Sequence, residues 1–439
     1  MSEAKVEERV CEDRISELPD DLIVAILSLI PTKDAVATMF MSKRWLSIWT
    51  IVPILDYKDE KEGRNSVWSF LHKSLQYHKA PLVDTLAVLL GSQCPTDVDV
   101  GKCVANVVDR RVREIIFELV WSADPTRLPN SLYSCESLRE LSLSHKILVD
   151  FPYSSCLPSL KKLELSSVVY KDDDSLRRFL SISCPALKAL FVTRKKDDNL
   201  KTLTVKVPSL WCLLYHNCFM NNDVEEEDNG RCLVIDTPAL EEFHVMDTSR
   251  DYCSTNHMPC LKGAYLSSNS CPGEKLLRSF SSVLSLELCL NHETLVCCST
   301  VNFSRLVKLI IDPEDSDWLE PLMLLLGNAP KLRNLTVDDP YIVVSQAYRD
   351  RYEDVLLTWN QPNYVPGCLS STLEIFEWIE YEDGEEEEEF LTYILAHSKH
   401  LTTATISLRP SYDLQEQGLI IEELKDIPRV STSSQLLFR

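Results

Sequence analysis

The sequence predicts an α/β solenoid that follows a short three-helix unit and ends in a variant repeat. The main observation is a recurring unit, Pro-x-Leu-basic-x-Leu-x-Leu or a variant of it, found eight times between residues 135 and 339. Over residues 138–261 its first leucine recurs every 21 to 30 residues, which is the spacing of a repeat protein. The second observation is that stop signals divide residues 13–49 into three short helical pieces.

The first helical piece is predicted over residues 20–30. Pro19 suits the first turn, and the two aspartates after it place negative charge at the positive end of the helix dipole. Pro31 ends this piece. Thr32 and Ser42 are expected to cap the second and third helices, because their hydroxyls can accept hydrogen bonds from unpaired backbone N–H groups.

The first helix is apolar on more than one side. Its hydrophobic side chains form two stripes with helical spacing, Leu22, Ile26, Leu29 and Ile30 on one and Ile23 and Leu27 on the other. Three short helices cannot enclose this much apolar surface, because small domains bury too little of it. One stripe therefore packs on the rest of the chain or on another protein, and the sequence leaves open which stripe does which.

The repeats supply short strands and connecting helices. Alternating Leu-x-Leu turns the apolar side chains of a strand to one face. Residues 112–119 are predicted to be an earlier, degenerate copy, and residues 173–185 and 318–330 are predicted to be helices that end at a turn. Stacked units of this kind form a curved solenoid with a parallel sheet along its inner wall.

The composition changes near residue 366. Residues 373–381 have the pattern of a strand, residues 390–401 that of a helix, and residues 400–408 that of a further strand. These segments predict one more repeat-like unit with a variant sequence.

The chain is strongly acidic, with a formal net charge of -22. Its densest acidic stretches, residues 221–228 and 382–390, are both predicted to be solvated loops. Clustered Lys and Arg are needed to bind phosphates, so this balance disfavours nucleic acid as a partner. An anionic membrane surface is disfavoured for the same reason.

Targeting signals are not recognised in the sequence. The first 14 residues are charged and lack the apolar core of a signal peptide, and no window holds 18 apolar residues. None of the 16 cysteines forms a C-x-x-C pair. We therefore expect a chain of the cytoplasm, the nucleus or both, where thiols stay reduced.

Catalytic and ligand-binding motifs are not found either. No G-x-S-x-G, H-E-x-x-H or phosphate-binding glycine loop occurs. His397 and His400 could share one helical face, but no third metal ligand is evident. The basic run at residues 194–196 is followed by two aspartates and is predicted to be a solvated loop rather than a nuclear signal. We expect no enzyme activity, no metal and no cofactor.

Residues 13–49 closely resemble an F-box of the form found in plants. The matching residues are Asp13-Arg14-Ile15-Ser16, Leu18-Pro19-Asp20, Leu22, Ile26-Leu27-Ser28, Pro31-Thr32-Lys33-Asp34-Ala35-Val36, Ser42-Lys43-Arg44-Trp45 and Trp49. The middle of the chain resembles leucine-rich repeats, and LEIFEWIEY, the glutamate run and ATISL resemble the FBD region. The chain is thus similar to the plant F-box/FBD/LRR-repeat family.

The resemblance implies four segments. They are a flexible N-terminus at residues 1–12, an F-box at 13–60, a leucine-rich-repeat horseshoe at 61–365 and an FBD region at 366–439.

The resemblance also implies a function, that of the substrate-recognition subunit of an SCF-type E3 ubiquitin ligase. The F-box would dock a Skp-family adaptor, which links to a cullin and a RING subunit, while the repeats hold a target protein for ubiquitination. Such a receptor contributes proximity rather than catalytic residues. The adaptor-binding residues that it implies are Leu18, Pro19, Leu22, Ile23, Ile26, Leu27, Ile30, Pro31, Ala35, Val36, Ser42 and Trp45.

Two alternatives stay open at this point. A repeat scaffold without ligase function would bind partners whose abundance does not depend on this chain. An enzyme would need converging polar groups with shifted pKa values, and the sequence offers no such set. The sequence does not identify the target.

Overall fold

A computed structural model describes most of the chain. The described residues are 18–59, 66–95, 98–120, 124–195, 198–217, 231–247, 252–255, 258–267, 274–290, 294–313, 318–338, 359 and 361–439. The predicted flexible N-terminus, the first residues of the F-box resemblance and the acidic segment 221–228 lie outside them. The chain divides into two compact units, residues 1–187 and 188–439.

The first unit begins with the three predicted helices. They are α1 (Asp20–Leu27), α2 (Thr32–Ala37) and α3 (Trp45–Ile48), and short 3₁₀ turns follow at Thr38–Phe40 and Trp49–Ile51. Helix α1 ends three residues earlier than predicted. Pro31 disfavours helical backbone only at Ile30. The helix closes earlier at Ser28, whose hydroxyl donates a hydrogen bond to the Val24 carbonyl at 2.7 Å.

Parallel strands make up the sheet of the first unit. In spatial order they are β1 (Ile54–Lys58), β2 (Thr85–Leu90), β3 (Glu114–Leu119), β5 (Glu140–His145) and β7 (Lys162–Ser166). A smaller parallel sheet contains β4 (Thr126–Arg127), β6 (Ile147–Val149) and β8 (Val169–Tyr170). The connections hold α4 (Trp68–Tyr77), α5 (Val100–Val108), α6 (Asp173–Arg178), a 3₁₀ turn (Asn130–Ser134) and a π turn (Phe179–Ser183).

The register explains why leucine recurs. Ile115, Leu141 and Leu163 are register neighbours on β3, β5 and β7, and all three are buried. The residues between the leucines point to the opposite face, where they are half-buried or exposed. Each repeat therefore adds one rung to a continuous apolar row, which no repeat could bury alone.

A buried histidine, His78, links the end of the three-helix unit to the residues that follow α4 and α5. His78 Nε2 donates a hydrogen bond to the Val52 carbonyl at 2.8 Å, and Arg110 Nη1 donates to His78 Nδ1 at 2.7 Å. This pair of contacts requires a neutral imidazole. Burial lowers the pKa of His78; the bond to Val52 opposes this, and the charge of Arg110 adds to it.

Acid should therefore weaken the first unit through His78. Because the folded-state pKa lies below the unfolded value of 6.5, the contribution of His78 is fully present above that pH. It is lost as the pH falls through the folded pKa, since the unfolded chain then binds more protons. We expect the free energy of unfolding to fall less from pH 7.5 to 5.5 in His78→Gln than in the wild type. Urea titrations check this, and an equal fall in both proteins would contradict it.

The second unit continues the same architecture. Its main parallel sheet runs β9 (Ala189–Thr193), β11 (Cys212–Asn217), β13 (Glu242–Asp247), β15 (Gly263–Ser267), β16 (Ser285–Leu290), β17 (Lys308–Pro313), β18 (Asn334–Asp338), β19 (Ile375–Tyr381), β20 (Thr403–Leu408) and β21 (Gln435–Phe438). A second sheet contains β10 (Thr202–Val205), β12 (Cys232–Ile235) and β14 (Tyr252–Thr255). Its helices are α7 (Glu274–Ser279), α8 (Leu295–Thr300), α9 (Leu319–Gly327), α10 (Gly367–Ser371), α11 (Glu385–His397) and α12 (Leu414–Asp426).

Each of the eight predicted repeat copies contains a strand, and these strands lie in parallel sheets, which confirms the repeat and the parallel pairing. The horseshoe curvature stays a prediction.

The variant unit near the C-terminus is confirmed as β19, α11 and β20. Its core is aromatic, because Trp378 packs edge-on against Trp318, Phe390 and Tyr381 at centroid distances of 6.2, 6.0 and 5.2 Å.

The prediction of a solvated loop over residues 382–390 is wrong for its glutamate run. The five glutamates form the first turns of α11. Carboxylates are favourable there because the N-terminus of a helix carries partial positive charge. Glu387 also folds back, and its Oε2 accepts hydrogen bonds from the backbone N–H groups of Glu382 at 2.9 Å and Gly384 at 3.4 Å.

The prediction of a solvated loop at residues 194–196 is wrong for Arg194. Its side chain is 0% exposed and makes a two-pronged hydrogen bond to Asp198, with N–O distances of 2.8 and 2.6 Å. Arg231, the residue before β12, also donates hydrogen bonds to the carbonyls of Lys195 and Asp198, each at 3.1 Å. Burial alone would lower the pKa of Arg194, but the bonds to Asp198 and Tyr215 raise it above its ordinary value.

No helix among the described residues has both the length and the apolar surface needed to cross a membrane.

Candidate protein-binding surface

Helix α1 has one buried and one exposed apolar stripe. Ile23 and Leu27 are 0% and 2% exposed, whereas Leu22, Ile26 and Leu29 are 48%, 44% and 85% exposed. Both stripes have helical spacing, so the pattern alone does not show which one is buried. The elements that pack around α1 determine this. We call Leu22, Ile26 and Leu29 the exposed stripe.

The buried stripe forms a small core with the other helices. That core contains Ile23, Leu27, Ala35, Trp45, Ile48, Trp49 and Val52. The two tryptophans are its largest side chains, and the area they bury helps three very short helices hold together. The structure therefore uses the second stripe of α1 within the first unit and leaves the exposed stripe uncovered.

The twelve sequence-predicted site residues fall into three groups. Ile23, Leu27, Ala35 and Trp45 are buried; Leu18, Ile30 and Val36 are half-buried; Pro19, Leu22, Ile26, Pro31 and Ser42 are exposed. Only the last two groups can touch another chain without rearrangement. The buried four hold the backbone that presents them.

An ion pair ties the start of α1 to the start of α3. Arg44 Nε and Nη2 donate to Asp20 Oδ1 at 2.9 and 2.6 Å, and Nη2 also donates to the Leu18 carbonyl. Both side chains are exposed, so the pair contributes little to stability. Its geometric effect is to hold the beginning of the exposed stripe in a defined orientation.

The predicted caps at Thr32 and Ser42 are wrong. The residue before α2 is Pro31, and neither α2 nor α3 has a side-chain cap. Thr32 is buried, and its hydroxyl accepts a hydrogen bond from the backbone N–H of Asp56 at 2.8 Å. The tertiary contact replaces the cap because it joins α2 to β1, which orders both elements.

The structure adds exposed residues that the sequence did not single out for binding. Leu29, Phe40, Met41 and Leu46 are all large, apolar and exposed. Leu29 could have been found, because it continues the Leu22–Ile26 spacing. Phe40 and Met41 lie at the end of the 3₁₀ turn after α2, where the local sequence gives no sign of which apolar side chains face solvent.

Metal chemistry has no visible support in the described part of the chain, where no group of three or more His, Cys, Asp or Glu side chains is placed to hold an ion. His397 Nδ1 hydrogen-bonds to the Tyr393 carbonyl at 2.8 Å, as expected near the end of α11. The eleven cysteines whose side chains the structure describes are free thiols.

A small helical unit with an exposed apolar stripe, followed by parallel repeats with leucine-rich strands, defines an F-box protein with leucine-rich repeats. Family models agree over three segments. The F-box domain model matches residues 15–57, a model described as the LRR repeats of FBD-associated F-box protein At5g56370 matches residues 100–264, and the FBD model matches residues 361–406.

Similar Arabidopsis thaliana proteins cover the whole chain. Putative FBD-associated F-box protein At1g05080 is 56% identical over 100% of both chains. Putative F-box/FBD/LRR-repeat protein At1g22000 is 47% identical over 97% of this chain and 91% of its own, and putative F-box/FBD/LRR-repeat protein At3g49480 is 43% identical over 98% and 96%. The chain belongs to the F-box/FBD/LRR-repeat family. F-box domains generally bind Skp1-like adaptors in SCF ubiquitin ligases, and proteins of this class are typically non-catalytic.

Proposed function

We propose that this chain is the substrate-recognition subunit of an SCF-type E3 ubiquitin ligase. Its F-box docks a Skp-family adaptor, which brings a cullin and a RING subunit, and its repeats hold a target protein in the cytoplasm or nucleus. The proposal assigns the F-box to residues 13–60, the repeats to 61–365 and the FBD region to 366–439.

The exposed stripe carries this proposal. Leu22 and Ile26 on α1, together with Leu29 just after its end, place three large apolar side chains in water. Exposed apolar groups that cluster in this way are typical of protein interfaces, because covering them with another chain removes their contact with water. We propose that the half-buried and exposed residues Leu18, Pro19, Ile30, Pro31, Val36 and Ser42 border this contact, and that Ile23, Leu27, Ala35 and Trp45 support it from within.

The chain itself would supply proximity. A target held on the repeats and an adaptor held on the F-box turn ubiquitin transfer into an encounter within one complex, where the effective concentration of the two reactants is high. This role needs two binding surfaces on one chain and no reactive side chain.

Leu29→Asp should abolish adaptor binding without unfolding the protein. The side chain is 85% exposed, so the carboxylate stays hydrated in the free chain but would be buried against the adaptor. Co-purification of a Skp-family adaptor with the full chain measures binding, and circular dichroism measures folding. Leu414→Asp is the matched control, because Leu414 is 86% exposed and begins α12 in the second unit. Equal adaptor binding by wild type, Leu29→Asp and Leu414→Asp would contradict the proposal.

A further inference from the structure

Two chain segments run side by side where the helical unit meets the first strands. The Thr50 carbonyl accepts hydrogen bonds from the backbone N–H groups of residues 79 and 80, at 2.7 and 3.1 Å. The Pro53 carbonyl accepts from those of residues 84 and 85, at 2.8 and 3.3 Å. The two segments are therefore held together at both ends and point in the same direction.

The side chains between these contacts form a buried pair and an exposed pair. Val52 and Val83 are buried, whereas Ile51 and Leu82 are exposed. In the register of β1 and β2, Ile54 lies beside Thr85, and continuing that register back by three residues pairs Ile51 with Leu82. Two large apolar side chains thus lie next to each other in water.

Two further apolar side chains adjoin this pair. Leu46 is exposed on α3, in the helical stretch that continues into the 3₁₀ turn holding Ile51. Tyr77 is exposed at the last position of α4, just before the contact with Thr50. We call Leu46, Ile51, Tyr77 and Leu82 the junction surface.

The junction surface is not needed to pair β1 with β2. Val52 and Val83 already supply the buried contact at this point, so polar side chains at positions 51 and 82 would leave it in place. Single exposed apolar residues are common in proteins, but four on adjoining elements are typical of a surface that another chain covers. Covering them would remove their contact with water.

The position of the junction surface selects its occupant. Leu46 and Ile51 lie inside the F-box match at residues 15–57, and F-box domains generally bind Skp1-like adaptors. Helix α1 carries the exposed stripe and packs directly on α3 and on the 3₁₀ turn that ends at Ile51. The junction surface therefore continues the helical unit that an adaptor would hold, and it extends that unit to Tyr77 and Leu82.

We propose that the junction surface is a second contact for the Skp-family adaptor, made partly by the first repeat. This inference rests on the proposed function, because it extends the adaptor contact beyond the F-box. An adaptor held at both places fixes the direction in which the first strands leave it. The contact would thereby set the orientation in which the repeats present a target.

The test measures the adaptor affinity of the full chain by isothermal titration calorimetry. The wild type is compared with Leu82→Asp, Val120→Asp and Leu29→Asp, and circular dichroism checks that each variant is folded. Val120 is the matched control, because it is 47% exposed against 52% for Leu82 and belongs to the same unit. It follows the end of β3, whereas Leu82 precedes the start of β2, so the two lie at opposite edges of a parallel sheet.

We expect Leu82→Asp to bind the adaptor at least about tenfold more weakly, because its carboxylate would be buried in the contact. Val120→Asp should bind like the wild type, since its carboxylate stays in water. Wild-type affinity in Leu82→Asp, or equal losses in Leu82→Asp and Val120→Asp, would overturn the proposal.

Hydroxyl-radical footprinting of the wild type gives a second measurement that needs no variant. Oxidation of Tyr77 should fall when the adaptor is added, whereas that of Tyr153, an exposed tyrosine between β6 and β7, should not change. Unchanged oxidation of Tyr77 in the complex would also overturn the proposal. Binding that is lost in Leu29→Asp but kept in Leu82→Asp refutes the junction contact alone, while a wild type that binds no adaptor refutes the proposed function with it.

Discussion

Replacing Asp198 with alanine should destabilise the second unit by about 3–5 kcal/mol, the loss found when one partner of a buried ion pair is removed. Asp198 is 1% exposed, and it is the carboxylate that both Arg194 and Arg231 approach. Without it, two guanidinium groups stay buried among backbone carbonyls and the Tyr215 hydroxyl, which accept hydrogen bonds but carry no negative charge. The loss is a large share of the roughly 5–15 kcal/mol that stabilises a typical domain.

Asp236→Ala is the control for this prediction. Asp236 lies just after β12 and pairs with Lys206 at 3.2 Å, but both side chains are exposed. Its removal should change the free energy of unfolding by less than about 1 kcal/mol. Urea unfolding followed by circular dichroism measures both variants. Similar losses in the two would mean that the Arg194–Asp198 pair is solvated in solution.

This ion pair also shows a limit of prediction from sequence. A basic run followed by aspartates is usually a solvated loop, and nothing in residues 194–198 indicates otherwise. The residues that contact this pair come from distant strands: Tyr215 lies on β11, and Arg231, more than thirty residues later, lies just before β12. The local pattern predicts the conformation that a segment prefers, whereas elements distant in the sequence determine its solvent exposure.

The repeats were predictable for the opposite reason. Their leucines alternate within each strand and recur between strands, so the local pattern and the long-range register agree. Strands β1, β2 and β16 belong to the same sheets but were not predicted, because valine (Val52, Val83 and Val283) replaces the first leucine of the recurring unit and no basic residue follows it. Helix α12 and strand β21 were not predicted, because the C-terminal stretch is polar and lacks a clear apolar periodicity.

The sequence predicts that α1 carries two apolar stripes, but it does not predict which of them is exposed. Ile23 and Ile26 have the same side chain on the same helix, and nothing in the local pattern distinguishes them. The structure separates them because Trp45 and Trp49, which lie well beyond α1 in the sequence, cover only one side of the helix.

Ile23→Ala should therefore reduce the stability of the protein, whereas Ile26→Ala should leave its stability nearly unchanged and reduce its affinity for the adaptor. Ile23 is fully buried, so its truncation leaves a cavity beside the tryptophans and should cost about 2–5 kcal/mol of stability. Ile26 is nearly half exposed, and its truncation should change stability by less than about 0.5 kcal/mol, as for most surface substitutions. Thermal unfolding of the full chain measures the difference.

Adaptor affinity gives the second half of this prediction. Ile26→Ala should weaken adaptor binding by more than about 1 kcal/mol if the exposed stripe is the centre of the contact, because truncating a central interface side chain has such an effect. Ile23→Ala should weaken binding only at temperatures where its F-box has begun to unfold, since Ile23 has no surface left to offer. If both variants bound the adaptor equally well at low temperature, the contact would have to lie elsewhere on the helical unit, with Phe40 and Met41 the next apolar pair to replace.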